Sequence, residues 1–168
     1  ALAKFQKGAI DQEILFSFLE ATQPKALERL KKVYKNDYQS KIMERIDKEL
    51  KRRGIIDCLR HGIKDYSATL KLAYNKPPTE MNETLVENYE NNIFTVSRQV
   101  YYSASNQNSI DMMISLNGLP LIVMELKNQL TSQTVEHSMR QFKKDRDPKE
   151  LLFQFKKRAV VFFAVDTD

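Results

Sequence analysis

Three charged residues stand inside the most apolar stretches of this chain. The run Leu121-Ile122-Val123-Met124-Glu125-Leu126-Lys127 has the composition of a strand buried on both faces, yet Glu125 and Lys127 project to the same side of it. Asp111 interrupts an equally apolar run, Ile110-Asp111-Met112-Met113-Ile114. Buried charges are costly unless they are paired or coordinate a metal, so their presence needs a cause. Two carboxylates meeting an ammonium would suit Mg²⁺, which takes hard oxygen ligands and keeps several waters. Asp111 and Glu125, with the Leu126 carbonyl, would leave room for a phosphate oxygen and an attacking water. Lys127 would position or activate that water and offset charge in a phosphodiester transition state. The same residues could form an ion-pair cluster with a structural role only, and residue types alone leave both readings open.

Register decides whether the two acids can meet. Asn117-Gly118, between the two runs, is a hairpin signal. A two-residue loop there pairs Leu116 with Leu119 and Asp111 with Met124, which puts the acids on opposite faces. A three-residue loop, or a glycine bulge at Gly118, shifts the pairing by one and sets Asp111 opposite Glu125, within about 5.5 Å at Cα. Pro120 has no N–H for a regular ladder and favours the irregular turn, so the shifted register is expected.

The elements that position these strands divide into a helical half and a strand half. Over 10–53 apolar residues recur at helical spacing, Ile10, Ile14 and Phe18, then Leu27, Leu30 and Tyr34, then Ile42, Ile46 and Leu50, which predicts three helices. Thr22 and Pro24 open the second, and Gly54 stops the third after the basic run at 48–53. Lys48, Lys51, Arg52 and Arg53 could touch phosphate or form a solvated helix end that complements the macrodipole. Beyond Gly62 the pattern predicts a strand over 67–74, broken by Asn75-Lys76-Pro77-Pro78, and a short helix capped by Asn82 and running to about 90. Strands follow over 94–102, 110–116 and 121–127, then a helix over 134–144 and a last strand over 159–165. Three meandering strands, a helix and a fourth strand make an α/β sandwich. The helical region, 1–66, is expected to pack on a core formed by 67–168, as one domain cut from a longer chain.

Composition narrows the function. The chain has 168 residues, 42% hydrophobic and 29% charged, enough for one core. No apolar run is long enough to span a membrane and no signal peptide is evident, so the chain is expected to be soluble and cytoplasmic. A single cysteine, Cys58, and two histidines, His61 and His137, offer neither an internal disulfide nor a zinc set. The four glycines fit no phosphate loop and no dinucleotide fingerprint. Lys plus Arg exceeds Asp plus Glu by 27 to 22, a balance compatible with a polyanionic partner.

A longer text surrounds the three charges. Asp111, thirteen intervening residues, then Glu125-Leu126-Lys127 match the PD-(D/E)XK signature. Asn108-Ser109-Ile110-Asp111, Leu116-Asn117-Gly118-Leu119-Pro120, Glu125-Leu126-Lys127-Asn128, Thr134-Val135-Glu136, Arg140-Gln141-Phe142, Asp145-Arg146-Asp147-Pro148 and Phe163-Ala164-Val165-Asp166 are far more specific. Together they resemble the N-terminal nuclease domain of the type I restriction enzyme R subunit, most strongly from about Thr95 onward and more loosely at Leu59-Arg60-His61-Gly62.

The resemblance implies a restriction-endonuclease-like core with a mixed central sheet flanked by helices. It also implies an endonuclease that cleaves double-stranded DNA with Mg²⁺, without reading sequence at the cut. In the family this domain precedes an ATP-driven translocase, and the subunit assembles with methyltransferase and specificity subunits. By match to the motif, Asp111 and Glu125 are metal ligands and Lys127 the catalytic lysine. The competing reading is a catalytically silent DNA-holding or subunit-docking module.

Two departures stand out. Family members commonly carry a glutamine and, four residues later, a tyrosine on the helix after the lysine, where this chain has Ser138 and Phe142. Gln141 lies about 60° around that helix from Ser138 and could take the glutamine's place, or be a solvated residue. Glu87 is a candidate substitute for a metal-proximal glutamate that the family's first helix often carries. Lys143, Lys144 and Arg146 could contact phosphate or be solvated. Phe94, Tyr101 and Tyr102 could stack on bases, although alternating strand aromatics usually line a core or sheet surface. His137 reads as a surface residue, and Asp166 and Asp168 as terminal acids.

Overall fold

The computed structural model describes residues 5–6, 9–102, 108–126 and 149–165. A short antiparallel pair, β1 (Phe5–Gln6) with β2 (Ile10–Asp11), leads into α1 (Gln12–Thr22). Asp11 is extended and its side chain accepts the Ile14 N–H at 3.2 Å, meeting one of the donors that a helix start leaves unpaired. Pro24, which needs no donor partner, opens α2 (Pro24–Tyr34). A single 3₁₀ turn, Lys35–Asp37, precedes α3 (Tyr38–Arg53). Gly54, at φ +87, ends α3 and at once starts α4 (Ile55–His61), a helix that apolar spacing alone did not signal. Of the residues that the spacing selects, Phe18, Leu27, Leu30, Ile42, Ile46 and Leu50 are buried on these helices, whereas Ile14 and Tyr34 are only partly buried and α1 also buries Leu15, Phe16 and Leu19. Fully burying such a side chain contributes about 2 kcal/mol.

The expected strand over 67–74 is shorter and has a partner. β3 (Ile63–Asp65) and β4 (Ala68–Leu70) form a hairpin turning at Tyr66, at φ +48. Side chains end the ladder. Gln23 Oε1 accepts the Lys71 N–H at 2.6 Å while its Nε2 donates to the Lys71 carbonyl, and Asn92 holds both backbone groups of Tyr74. Leu70 and Leu72 still turn inward and join Ile63 in the core of the helices.

After α5 (Glu83–Glu90), capped by Asn82 as expected, the main sheet forms from β5 (Phe94–Tyr101), β6 (Ser109–Leu116), β7 (Leu119–Leu126) and β8 (Val161–Val165). Spatial order equals chain order, with antiparallel pairs except that β8 runs parallel to β7. The fold is therefore mixed α/β with a helical N-terminal part. The helix expected over 134–144 lies outside the described residues.

Two junctions hold the helices against the sheet. The β6–β7 turn seats on the start of α1: Asp11 N–H donates to the Gly118 carbonyl at 2.8 Å, and a Cβ at Gly118 would overlap the Asp11 carbonyl oxygen. Beside it the fully buried Asn117 side chain donates to Leu72 O and Asn92 Oδ1 and accepts from Ile93 N–H. At the second junction Ile55 N–H donates to Lys156 O, and the fully buried Arg158 donates from Nη2 to Asp47 on α3. Burial pushes the Arg158 guanidinium below its ordinary pKa, and the Asp47 carboxylate opposes that shift.

Gly118→Ala should cost about 3 kcal/mol in denaturant unfolding, because the turn needs φ +79 and has no room for a methyl group; an unchanged midpoint would show that the turn does not hold this seat. Asp47→Ala should destabilise by about 3 kcal/mol by leaving Arg158 charged, buried and unpaired, whereas Arg158→Met should cost clearly less. The reverse order in thermal unfolding would contradict the assigned role of this pair.

Candidate functional site

The pairing of β6 with β7 contains a one-residue shift. Leu116 lies opposite Leu119 and Ser115 opposite Pro120, but Ile114 lies opposite Ile122, so Leu121 is the extra residue. The turn itself is the tight two-residue kind, with Asn117 at φ +51 and Gly118 at φ +79. The irregularity thus sits just after Pro120 and not at Gly118. The physical cause is the one anticipated, since proline gives the ladder no N–H and a regular pairing cannot pass through it. Met113 pairs with Val123 and Met112 with Met124, and the next step along this ladder sets Asp111 beside Glu125.

Both acids sit in a constrained environment. Asp111 Oδ2 accepts the Leu126 N–H at 2.8 Å, and Oδ1 accepts from Gln99 Nε2 at 3.2 Å. Glu125 is only 3% exposed. Its neighbour across the parallel pair is Ala164, whose small side chain leaves room for a carboxylate on that side. An ionised aspartate offers about four lone-pair directions, so two hydrogen bonds orient Asp111 without exhausting it. The donor set, two hard carboxylates at the end of two adjacent strands, fits a small divalent cation in kind. No group of three His, Cys, Asp or Glu residues suited to a metal occurs among the described residues.

Lys127 follows the last described residue of β7 and lies outside the described residues, as do Gln141, Lys143, Lys144 and Arg146. Ser138, Phe142, His137, Asp166 and Asp168 do too. Glu87 is exposed on α5, which feeds β5 at the Phe94 end. Phe94 pairs with Leu116, five residues along β6 from Asp111, roughly 17 Å at strand rise. The structure does not bring Glu87 to the two acids.

Gln99 is a residue of the site that sequence reasoning missed. It lies between the pairs Arg98↔Met112 and Val100↔Ile110, opposite Asp111, and it takes φ +50 within a strand. Nothing in hydrophobic periodicity marks it. Only the register of β5 on β6, set against Asp111, could have found it.

Other sequence candidates resolve differently. Three of the four cations at the end of α3 are engaged within the protein: Lys51 pairs with Asp47 at 2.6 Å, Arg52 with Glu49 at 2.7 Å, and Arg53 with Asp57, while Lys48 is exposed. A hydrogen bond from Arg52, with its charge, holds the Glu49 carboxyl below the usual carboxylate range. Tyr102 is core, packed edge-on against Phe153 at 4.8 Å, while Phe94 and Tyr101 are exposed. Cys58 is buried, and burial pushes its thiol pKa up, the opposite of an activated nucleophile. His61 bonds through Nδ1 to Asp57 at 2.8 Å on the surface of α4.

Among the described residues, no helix is long and apolar enough to cross a membrane. Over 133 residues the chain is 23% identical to the "Putative type I restriction enzyme MjaVIIIP endonuclease subunit" of Methanocaldococcus jannaschii, a match covering 77% of this chain and 13% of that protein. The chain thus spans a small part of the length of this relative. No solved structure matches it. Residues 10–168 match the family model described as the type I restriction enzyme R protein N terminus, and the chain belongs to that family.

Proposed function

We propose that this chain is a Mg²⁺-dependent PD-(D/E)XK endonuclease domain that hydrolyses phosphodiester bonds of double-stranded DNA without reading sequence at the cut. In this reading it works in the cytoplasm, joined to an ATP-driven translocase in an R subunit that assembles with methyltransferase and specificity subunits. The observation that carries the proposal is the Leu121 shift, which brings Asp111 next to the buried Glu125 at one end of β6 and β7. Membership of the R-protein family supports it independently.

Asp111 and Glu125 would hold the ion, with Asp111 oriented by the Leu126 N–H and the Gln99 amide. A bound Mg²⁺ would polarise the scissile phosphate and make a coordinated water more acidic. Lys127, the lysine of the Glu125-Leu126-Lys127 motif, is assigned to orient the attacking water and offset negative charge on the phosphorane-like transition state. Gln141 is assigned an accessory place near the ion, and Lys143, Lys144 and Arg146 contacts to the DNA backbone. Glu87 receives no role, because its helix leads to the far end of the sheet.

Asp111→Asn, Glu125→Gln and Lys127→Ala, each in the intact R subunit within its assembly, should lower DNA cleavage by about 100-fold or more while ATP hydrolysis and translocation continue. Wild-type cutting by all three variants would refute the nuclease assignment. A silent docking module would instead show no Mg²⁺ or Mn²⁺ binding that depends on Glu125.

A further inference from the structure

We propose that Gln99 is a positioning residue for the metal ligand Asp111, held in place by Ser109 and by a strained backbone, so that divalent-ion affinity depends on a side chain that touches no ion. The inference rests on the nuclease reading above and adds a residue that the PD-(D/E)XK signature does not contain. Three observations carry it. Gln99 Nε2 donates to Asp111 Oδ1 at 3.2 Å, on the carboxylate oxygen not already bonded by the Leu126 N–H. A carboxylate only accepts and so takes the Nε2 end of the amide, while Ser109 Oγ donates to Gln99 Oε1 at 3.1 Å and holds the other end. Gln99 also takes φ +50 inside β5, a conformation that is unfavourable for a residue with a Cβ and is retained where the surroundings impose it.

These observations share one physical consequence. A lone carboxylate at a strand end rotates about its side-chain bonds and must lose that freedom when it takes up an ion. Donors on both oxygens remove the freedom beforehand and leave the remaining lone pairs for the cation. Ser109 and Asp111 lie two apart on β6 and therefore on one face, so a single glutamine opposite them can bridge both. The left-handed backbone at Gln99 interrupts the regular run of β5 at the residue that serves this bridge.

The test separates backbone from side chain. Gln99→Gly accepts φ +50 without strain and removes the amide, while Gln99→Asn tolerates positive φ but is one methylene too short for the same reach. Titration of Mn²⁺ alone into the intact protein, followed by calorimetry, should show a dissociation constant about tenfold higher for both variants. The thermal midpoint of Gln99→Gly should be unchanged or raised, which a merely structural role for the side chain would not give. Ser109→Ala should produce a smaller weakening in the same direction. Asp111→Asn, run alongside, should abolish the binding. If Asp111→Asn abolishes binding while Gln99→Gly and Gln99→Asn bind as wild type, the positioning role is wrong and the nuclease reading survives; if Asp111→Asn itself binds Mn²⁺ as wild type, the underlying reading has failed.

Discussion

A proline in the middle of a hairpin sets the arrangement of the sheet. Pro120 cannot donate to the ladder between β6 and β7, and the pairing absorbs that defect by leaving Leu121 as an extra residue. Side chains alternate with a period of two, so one extra residue exchanges the faces of everything beyond it on β7. The exchange puts Glu125 rather than Met124 beside Asp111. It also lets the turn remain the tight form that Asn117 and Gly118 favour, and that turn is the piece seated against the start of α1.

The helical half acts on the site indirectly, through that seat and through the Arg158–Asp47 pair. The close approach at Gly118 leaves space only for hydrogen, and the buried Asn117 network ties the same turn to Leu72, Asn92 and Ile93. Leu119 and Leu121 pack into the apolar core of α1, α2 and α3. Helices and sheet therefore share a core at the turn end of β6 and β7, while the two acids lie at the other end of these strands. The turn end is braced, and the opposite end presents two carboxylates.

Much of this was legible in the sequence because it follows local rules. Ile42, Ile46 and Leu50 at helical spacing, Pro24 at a first turn, Asn82 as a cap and Gly54 as a stop each mark an element by chemistry that acts within a few residues. The register shift was legible in kind, since a proline beside a hairpin turn argues for an irregularity, but its place was not. Whether the defect falls in the turn or one residue after Pro120 depends on how the turn packs against Asp11, a contact more than a hundred residues distant in the chain. Gln99 was illegible for a related reason: its significance lies in facing Asp111 across β5 and β6, not in its own neighbours. The pairing of Arg52 and Arg53 with Glu49, three and four residues back on α3, could have been read from helical spacing, whereas that of Arg53 with Asp57 crosses the break at Gly54 and could not.

In the proposed function Asp111 and Glu125 share one divalent ion. Anomalous diffraction from crystals of the protein soaked in Mn²⁺ tests it most directly. A single strong peak should lie within about 2.2 Å of an oxygen of each carboxylate, at the ends of β6 and β7. A peak bound elsewhere, with the two side chains directed to opposite faces of the sheet, would contradict it.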